Sequence, residues 1–130
     1  MDIRAFDLDE DYLDVCAWWT AQKWPILPKD HLSSTGFITY DDDTKYAAAW
    51  VYTTNSSIYI LDWWVGNPDA DHEKRKEGME LIADASAEFA KECGAKTLLT
   101  MTSNARLCDK MKDMKFNETD KNMIHFVRSL

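Results

Sequence analysis

No stretch of this 130-residue chain approaches the roughly 18 consecutive apolar residues of a membrane helix, so no membrane partner is expected. Met1-Asp2-Ile3-Arg4 lacks the pattern of a signal peptide, and none is expected. Cysteine is scarce: Cys16, Cys93 and Cys108 are odd in number and widely spaced, which fits a reduced, cytoplasmic protein better than a disulfide scaffold. His31, His72 and His125 fall in no metal-ligand spacing with them, and no metal is expected. Positive charge is also short, 15 Lys and Arg against 23 Asp and Glu, and the net charge of −8 argues against nonspecific nucleic-acid binding. Such acidity commonly serves solubility and is also compatible with a cationic partner. No repeat, low-complexity segment or linker divides the chain, so a single domain over 1–130 is expected. A chain of this length buries about two-thirds of its unfolded surface.

What is present is a regular succession of strands and helices. Ile3 to Phe6 reads as a short strand, and Asp7, Asp9 and Glu10 supply cap chemistry for a helix from Asp11 to Gln22. Leu13, Cys16, Ala17 and Thr20 are its expected buried stripe, and Pro25 stops it. A loop or short helix around Lys29 to Leu32 leads to a strand from Thr35 to Tyr40, a turn at Asp41-Asp42-Asp43, and a hairpin of Lys45–Tyr52 with Ile58–Val65. A long helix ends at Cys93-Gly94, with Met79, Ile82, Ala85, Phe89 and Cys93 on its apolar face. Thr97 to Met101 is expected to be a buried strand, Asn104 to Met114 a helix, and Asn122 to Val127 a last strand. A meander followed by β-α-β implies an α/β (α+β) fold, a mixed sheet with helices on both faces.

The segment Leu61 to Gly94 carries the most chemistry. A strand stops at Gly66-Asn67-Pro68, and a helix opens on Arg75-Lys76-Glu77-Gly78. A helix N-terminus presents unpaired N–H groups to an anion, Arg75 and Lys76 add charge, and Gly78 lets a phosphate approach. The alternative for Arg75 and Lys76 is a solvated helix face.

Val65, Pro68, Arg75 and Gly78 stand in the register of a strand ending in valine, a proline, then Gln/Arg-x-x-Gly-x-Gly/Ala. With the element order, this resembles the N-acetyltransferase (GNAT) superfamily over nearly the whole chain. Trp18-Trp19, Trp24-Pro25, Leu32, Gly36-Phe37-Ile38, Ala49-Trp50-Val51-Tyr52 and Asn67-Pro68 resemble a small phage-associated group within it. The resemblance implies a twisted, mostly antiparallel sheet and a pyrophosphate cradle for acetyl-CoA. Two positions depart from the pattern. Glu80 replaces the last small residue of the motif, and Met111 and Lys115 replace the tyrosine and glycine of Tyr-x-x-x-Gly-Phe.

The resemblance implies transfer of acetyl from acetyl-CoA to an amine on a small molecule or protein, in a cytoplasm that is a host's if the chain is phage-encoded. The alternative is a non-catalytic module that binds CoA or a protein partner, as monomer or homodimer in either case. Only about 1 in 10³ of a lysine-like amine is neutral at pH 7, so a base helps. Asp62, the one acid inside the central apolar strand, is that base or a solvated carboxylate. Val65 or a neighbour would polarise the carbonyl through its N–H. Asn67, Arg75, Lys76, Glu77, Gly78 and Met79 would hold the cofactor. Asn104 either binds the pantetheine arm or caps the following helix. Trp18, Trp19 and Trp24 either line an aromatic acceptor pocket or fill the core. Trp63 and Trp64 are expected on opposite faces of their strand.

Overall fold

The computed structural model describes all 130 residues. At its centre lies a nine-residue strand, Thr44–Tyr52 (β3), whose run Tyr46 to Val51 is buried throughout. Its small alternating residues allow helices on both faces. Ala47, Ala49 and Val51 point one way and Ala48 and Trp50 the other. Asp2–Ala5 (β1), Thr35–Asp41 (β2), β3 and Ile58–Gly66 (β4) form an antiparallel meander, and Thr97–Thr100 (β5) joins β4 in parallel. The strand order is β1-β2-β3-β4-β5. Gly36 lies opposite Trp50, where a Cβ would stand 2.3 Å from Trp50 Cδ1, so only glycine leaves room for the indole.

Leu8–Ala21 (α1) covers one face of the sheet, packing Val15, Trp18 and Trp19 on Ile38, Ala48, Trp50 and Val65. Asp7 caps it by accepting from the Asp9 and Glu10 amides. The expected stripe is displaced. Leu13 is 79% exposed and Ala17 and Thr20 are exposed, whereas Asp11, Val15, Trp18 and Trp19 are buried. The reason is electrostatic: Arg4 of β1 and Lys45 of β3 both bind the Asp11 carboxylate and turn the helix toward the sheet along that side.

His72–Glu92 (α2) and Ala105–Asp113 (α3) occupy the other face. α2 starts three residues before Arg75, because Asp71 caps it by accepting from Lys74 N at 3.1 Å. Met79 and Ile82 face the sheet as expected, joined by Gly78, Ala83, Ser86 and Ala90, while Cys93 is exposed. α3 buries Leu107 and Met111, its C-cap Met114 is buried beside them, and Lys115 follows in the left-handed region with φ 68°. That is the position where the GNAT pattern has glycine. Lys115→Gly is therefore expected to stabilise the fold by roughly 1 kcal/mol in urea denaturation, since a side chain there costs about that much.

Two expectations fail beyond α2. β5 is an edge strand rather than a buried one, with Leu99 and Met101 each 39% exposed. Asn122 to Val127 forms no strand, and Met123, Ile124, Phe126 and Val127 stand in solvent. The β propensity of that run has no partner within the sheet to satisfy it.

Candidate active site

β4 and β5 pair only from Ile58 opposite Thr97 to Leu61 opposite Thr100. β4 then runs on alone to Gly66, so the two strands part and leave a cleft. A bulge lies at the parting. Trp50 pairs with Asp62 and Ala48 with Val65, so Ala49 faces both Trp63 and Trp64. Trp63 takes φ 63°, a conformation worth about 1–3 kcal/mol of strain in a bulky residue. The indole of Trp64, buried on the α2 side, reaches across the parting and donates Nε1–H to Thr100 Oγ1 at 2.9 Å.

Asp62 sits at this place, half-buried, with Oδ1 accepting from Trp63 N at 2.7 Å. Burial pushes its carboxyl above the usual range, opposed by the Trp63 amide and the charge of His125. Tyr52 lies beside it: burial raises the phenol, the Ser33 backbone and Trp63 side chain oppose that, and the Asp62 charge adds to the rise. The Tyr52 hydroxyl donates to His31 O at 2.6 Å. Asp62, Tyr52 and Trp63 thus make an acidic, aromatic mouth on the α1 side. Tyr52 lies ten residues from Asp62 across a hairpin, and only the strand register brings it there.

The other end of the cleft is basic. Lys110 of α3 is pushed below the usual lysine range, first by burial and then by Arg75, Lys76 and Arg106, with Glu73 opposing. Four cations therefore converge between α2 and α3 in a chain whose net charge is −8. Arg75 also donates to Asn67 O at 2.9 Å, and Lys76 pairs with Asp113 at 3.4 Å and more loosely with Glu80 at 4.0 Å. Arg106 and Lys110 have no signal in the sequence, because 31 and 35 positions and a strand separate them from Arg75.

The remaining candidates are placed as follows. The amides from Arg75 through Met79 are not free, because α2 has already begun: Arg75 N donates to Asp71 O, and those after it continue the ladder. Gly78 faces the sheet, where a Cβ would lie 2.4 Å from Thr39 Oγ1, so its smallness serves helix–sheet contact. Met79 is buried in the α2-side core and Glu77 is exposed. Val65 is buried under α1. Asn67 N donates to Tyr46 O, so the alternation of the ladder also points the Val65 N–H at β3, and Gly66 presents its N–H to the open edge. Asn67 organises the turn, donating to Lys45 O and accepting from Asp69 N. Asn104 caps α3 by accepting from Leu107 N. Trp18 and Trp19 are core residues, and both lie in the α1-side cluster although adjacent. Trp24 is 38% exposed. Met111 faces the core rather than the cleft.

A sheet parted between its fourth and fifth strands, with one helix on one face and two on the other, matches the GNAT-like fold. The aminoglycoside N-acetyltransferase AAC(6')-Iy in complex with CoA superposes with a TM-score of 0.68 at 18% identity, covering 98% of this chain and 100% of that one. The aminoglycoside acetyltransferase meta-AAC0020 from an uncultured soil metagenomic sample, in complex with sisomicin, gives 0.71 at 12% identity, covering 99% and 95%. A protein of Agrobacterium tumefaciens C58 assigned as an acetyltransferase gives 0.71 at 9% identity, covering 99% and 100%. No family model and no curated protein matches the sequence.

Proposed function

We propose that the protein is an N-acetyltransferase that moves acetyl from acetyl-CoA to an amine. The observation that carries this reading is the parting of β4 from β5, with Asp62 where the strands separate and the Arg75 side chain against Gly66 at the far end of β4. The neighbours of this fold crystallised with CoA and with an aminoglycoside support it. The residues present fit a polyanion: burial and then the charges of Arg75, Lys76 and Arg106 lower Lys110, and phosphates placed among these cations would relieve that crowding. Acetyl-CoA, when bound, supplies the acyl group as a thioester.

The residues of this chain then have four tasks. The four cations hold phosphates, as side chains rather than through a helix-end cradle. The Gly66 N–H, free on the open edge of β4, is the donor available to a carbonyl oxygen. Asp62 accepts the proton that the attacking amine gives up, and its raised pKa brings it closer to the pH at which it works. Tyr52 and Trp63 flank that amine. A second reading, a GNAT-fold protein that binds CoA or a protein partner without turnover, is favoured by Met111: it lies in the core and carries no proton donor, so position 111 does not protonate a departing thiolate.

Differential scanning fluorimetry tests the cofactor assignment. Acetyl-CoA at a hundredfold excess over its Kd should add about 2.7 kcal/mol of stability. Lys110→Gln should act in opposite directions, stabilising the free protein by removing repulsion and shrinking the acetyl-CoA response. An unchanged melting temperature with saturating acetyl-CoA removes the assignment.

A further inference from the structure

We propose that the acceptor is a monoamine on a flat apolar or aromatic body, which lies against Trp63 while its single nitrogen reaches Asp62. This names the substrate class of the same site and so rests on the transfer reading above. Asp62 holds Oδ1 on the Trp63 N–H and pairs with no lysine or arginine, so its other oxygen is open to one ammonium group. A polycation needs several carboxylates. The two by which α1 meets the sheet are taken: Asp11 holds Arg4 and Lys45, and Asp14 holds Lys45. The charge that acts on Asp62 is that of His125, whose protonated ring would repel a second ammonium group.

The hydroxyls at the mouth are engaged as well. Tyr52 donates to His31 O at 2.6 Å, and Ser33 donates to Val51 O while accepting from Thr35 N. A sugar rich in hydroxyl and amino groups would leave polar atoms unpartnered there, each at a cost once buried. What the mouth offers instead is aromatic surface. Trp63 is 39% exposed and keeps a left-handed backbone that persists only where the surroundings hold it. Strain kept in an exposed indole beside a carboxylate serves a ligand rather than the core. Its side chain also acts on the Tyr52 hydroxyl, so the two rings stand together. Aromatic faces favour an ammonium group and stack on a flat body. On transfer the amine nitrogen bonds the acyl carbon, the carbon–sulfur bond breaks with its electron pair left on sulfur, and Asp62 takes the amine proton.

The test compares 2-phenylethylamine, ethylamine and spermidine, with binding read by titration calorimetry in excess CoA and transfer by release of CoA thiol from acetyl-CoA. 2-Phenylethylamine should bind at least tenfold tighter than either other amine, and its kcat/KM should be at least tenfold higher through a lower KM. Trp63→Ala should reduce its preference over ethylamine to less than threefold, and Trp63→Phe should keep it. Melting curves of both variants report whether β4 is intact. Spermidine or ethylamine bound as well as 2-phenylethylamine overturns the proposal, as does a preference that survives Trp63→Ala. Binding of none of the three overturns it too. Selective binding without thiol release overturns the transfer reading alone and upholds the ligand class.

Discussion

Asp11→Ala should lower folding stability by about 3–5 kcal/mol in urea denaturation, the range for breaking a buried ion pair from one side. The Asp11 side chain is fully buried, and its two oxygens receive Arg4 at 2.7 and 2.8 Å, Lys45 at 2.8 Å and the Asp7 N–H at 2.8 Å. These contacts join β1, α1 and β3. Lys45 keeps Asp14 at 2.6 Å and Arg4 is one-third exposed, so the loss should fall toward the lower end. Burial alone would raise the Asp11 carboxyl, but Arg4, Lys45 and the Asp7 amide together hold it at about 2 against the usual 3.8. A depressed carboxyl contributes fully above its unfolded pKa and is lost as the pH falls through the folded one. The wild type should therefore lose roughly 2 kcal/mol between about pH 4 and pH 2 from this group. Asp11→Asn should lack that step, and equal acid sensitivity in the two proteins would remove Asp11 as its source.

Asp62→Asn should lower kcat by about 10²- to 10³-fold, the scale of a lost general base, with the acetyl-CoA Kd unchanged. In the wild type kcat should rise with pH through a pKa above the ordinary carboxylate range, and that limb should vanish in the variant. Stability supplies a second readout of opposite sign. A carboxyl whose folded pKa is raised stabilises the protein below its unfolded pKa and loses that contribution as the pH rises through the folded value, so the charge is unfavourable at neutral pH. Asp62→Asn should accordingly melt no lower than the wild type at pH 7, and higher if the charge is the dominant cost. A variant with full activity across pH 6 to 9 takes Asp62 out of the mechanism.

The strands β1 to β4 and the approximate extent of all three helices were legible because their signals are local: β-rich runs, acidic turns and a glycine after α2. The errors arose where a distant residue decides. The stripe of α1 was misplaced because hydrophobicity alone puts Asp11 outside, whereas Arg4 and Lys45 draw it in. The start of α2 was set at Arg75 by the motif, although Asp71, with cap chemistry, stood four residues earlier. At the cleft, Asp62 was visible as an acid within an apolar run. Tyr52 was not, and Arg106 and Lys110 were not, because they reach the site by strand register and by the packing of α3 on α2. Trp63 and Trp64 do separate, one half-exposed and one buried, but the simple alternation behind that expectation breaks between them.

That break works as a reading-frame shift within a strand. Up to Leu61 the odd-numbered residues of β4, Tyr59 and Leu61, face α2; after Trp63 the even-numbered Trp64 does, and the odd-numbered Val65 faces α1. The two halves of β4 therefore obey opposite parity, and a single deletion at Trp63 would restore one parity throughout. Val65 would still face α1 and Trp64 α2, so the deletion would remove the bulge and leave every side chain downstream as it is. The residue count between Leu61 and Trp64 therefore decides whether β4 carries a bulge where it parts from β5, and not which way its later side chains face.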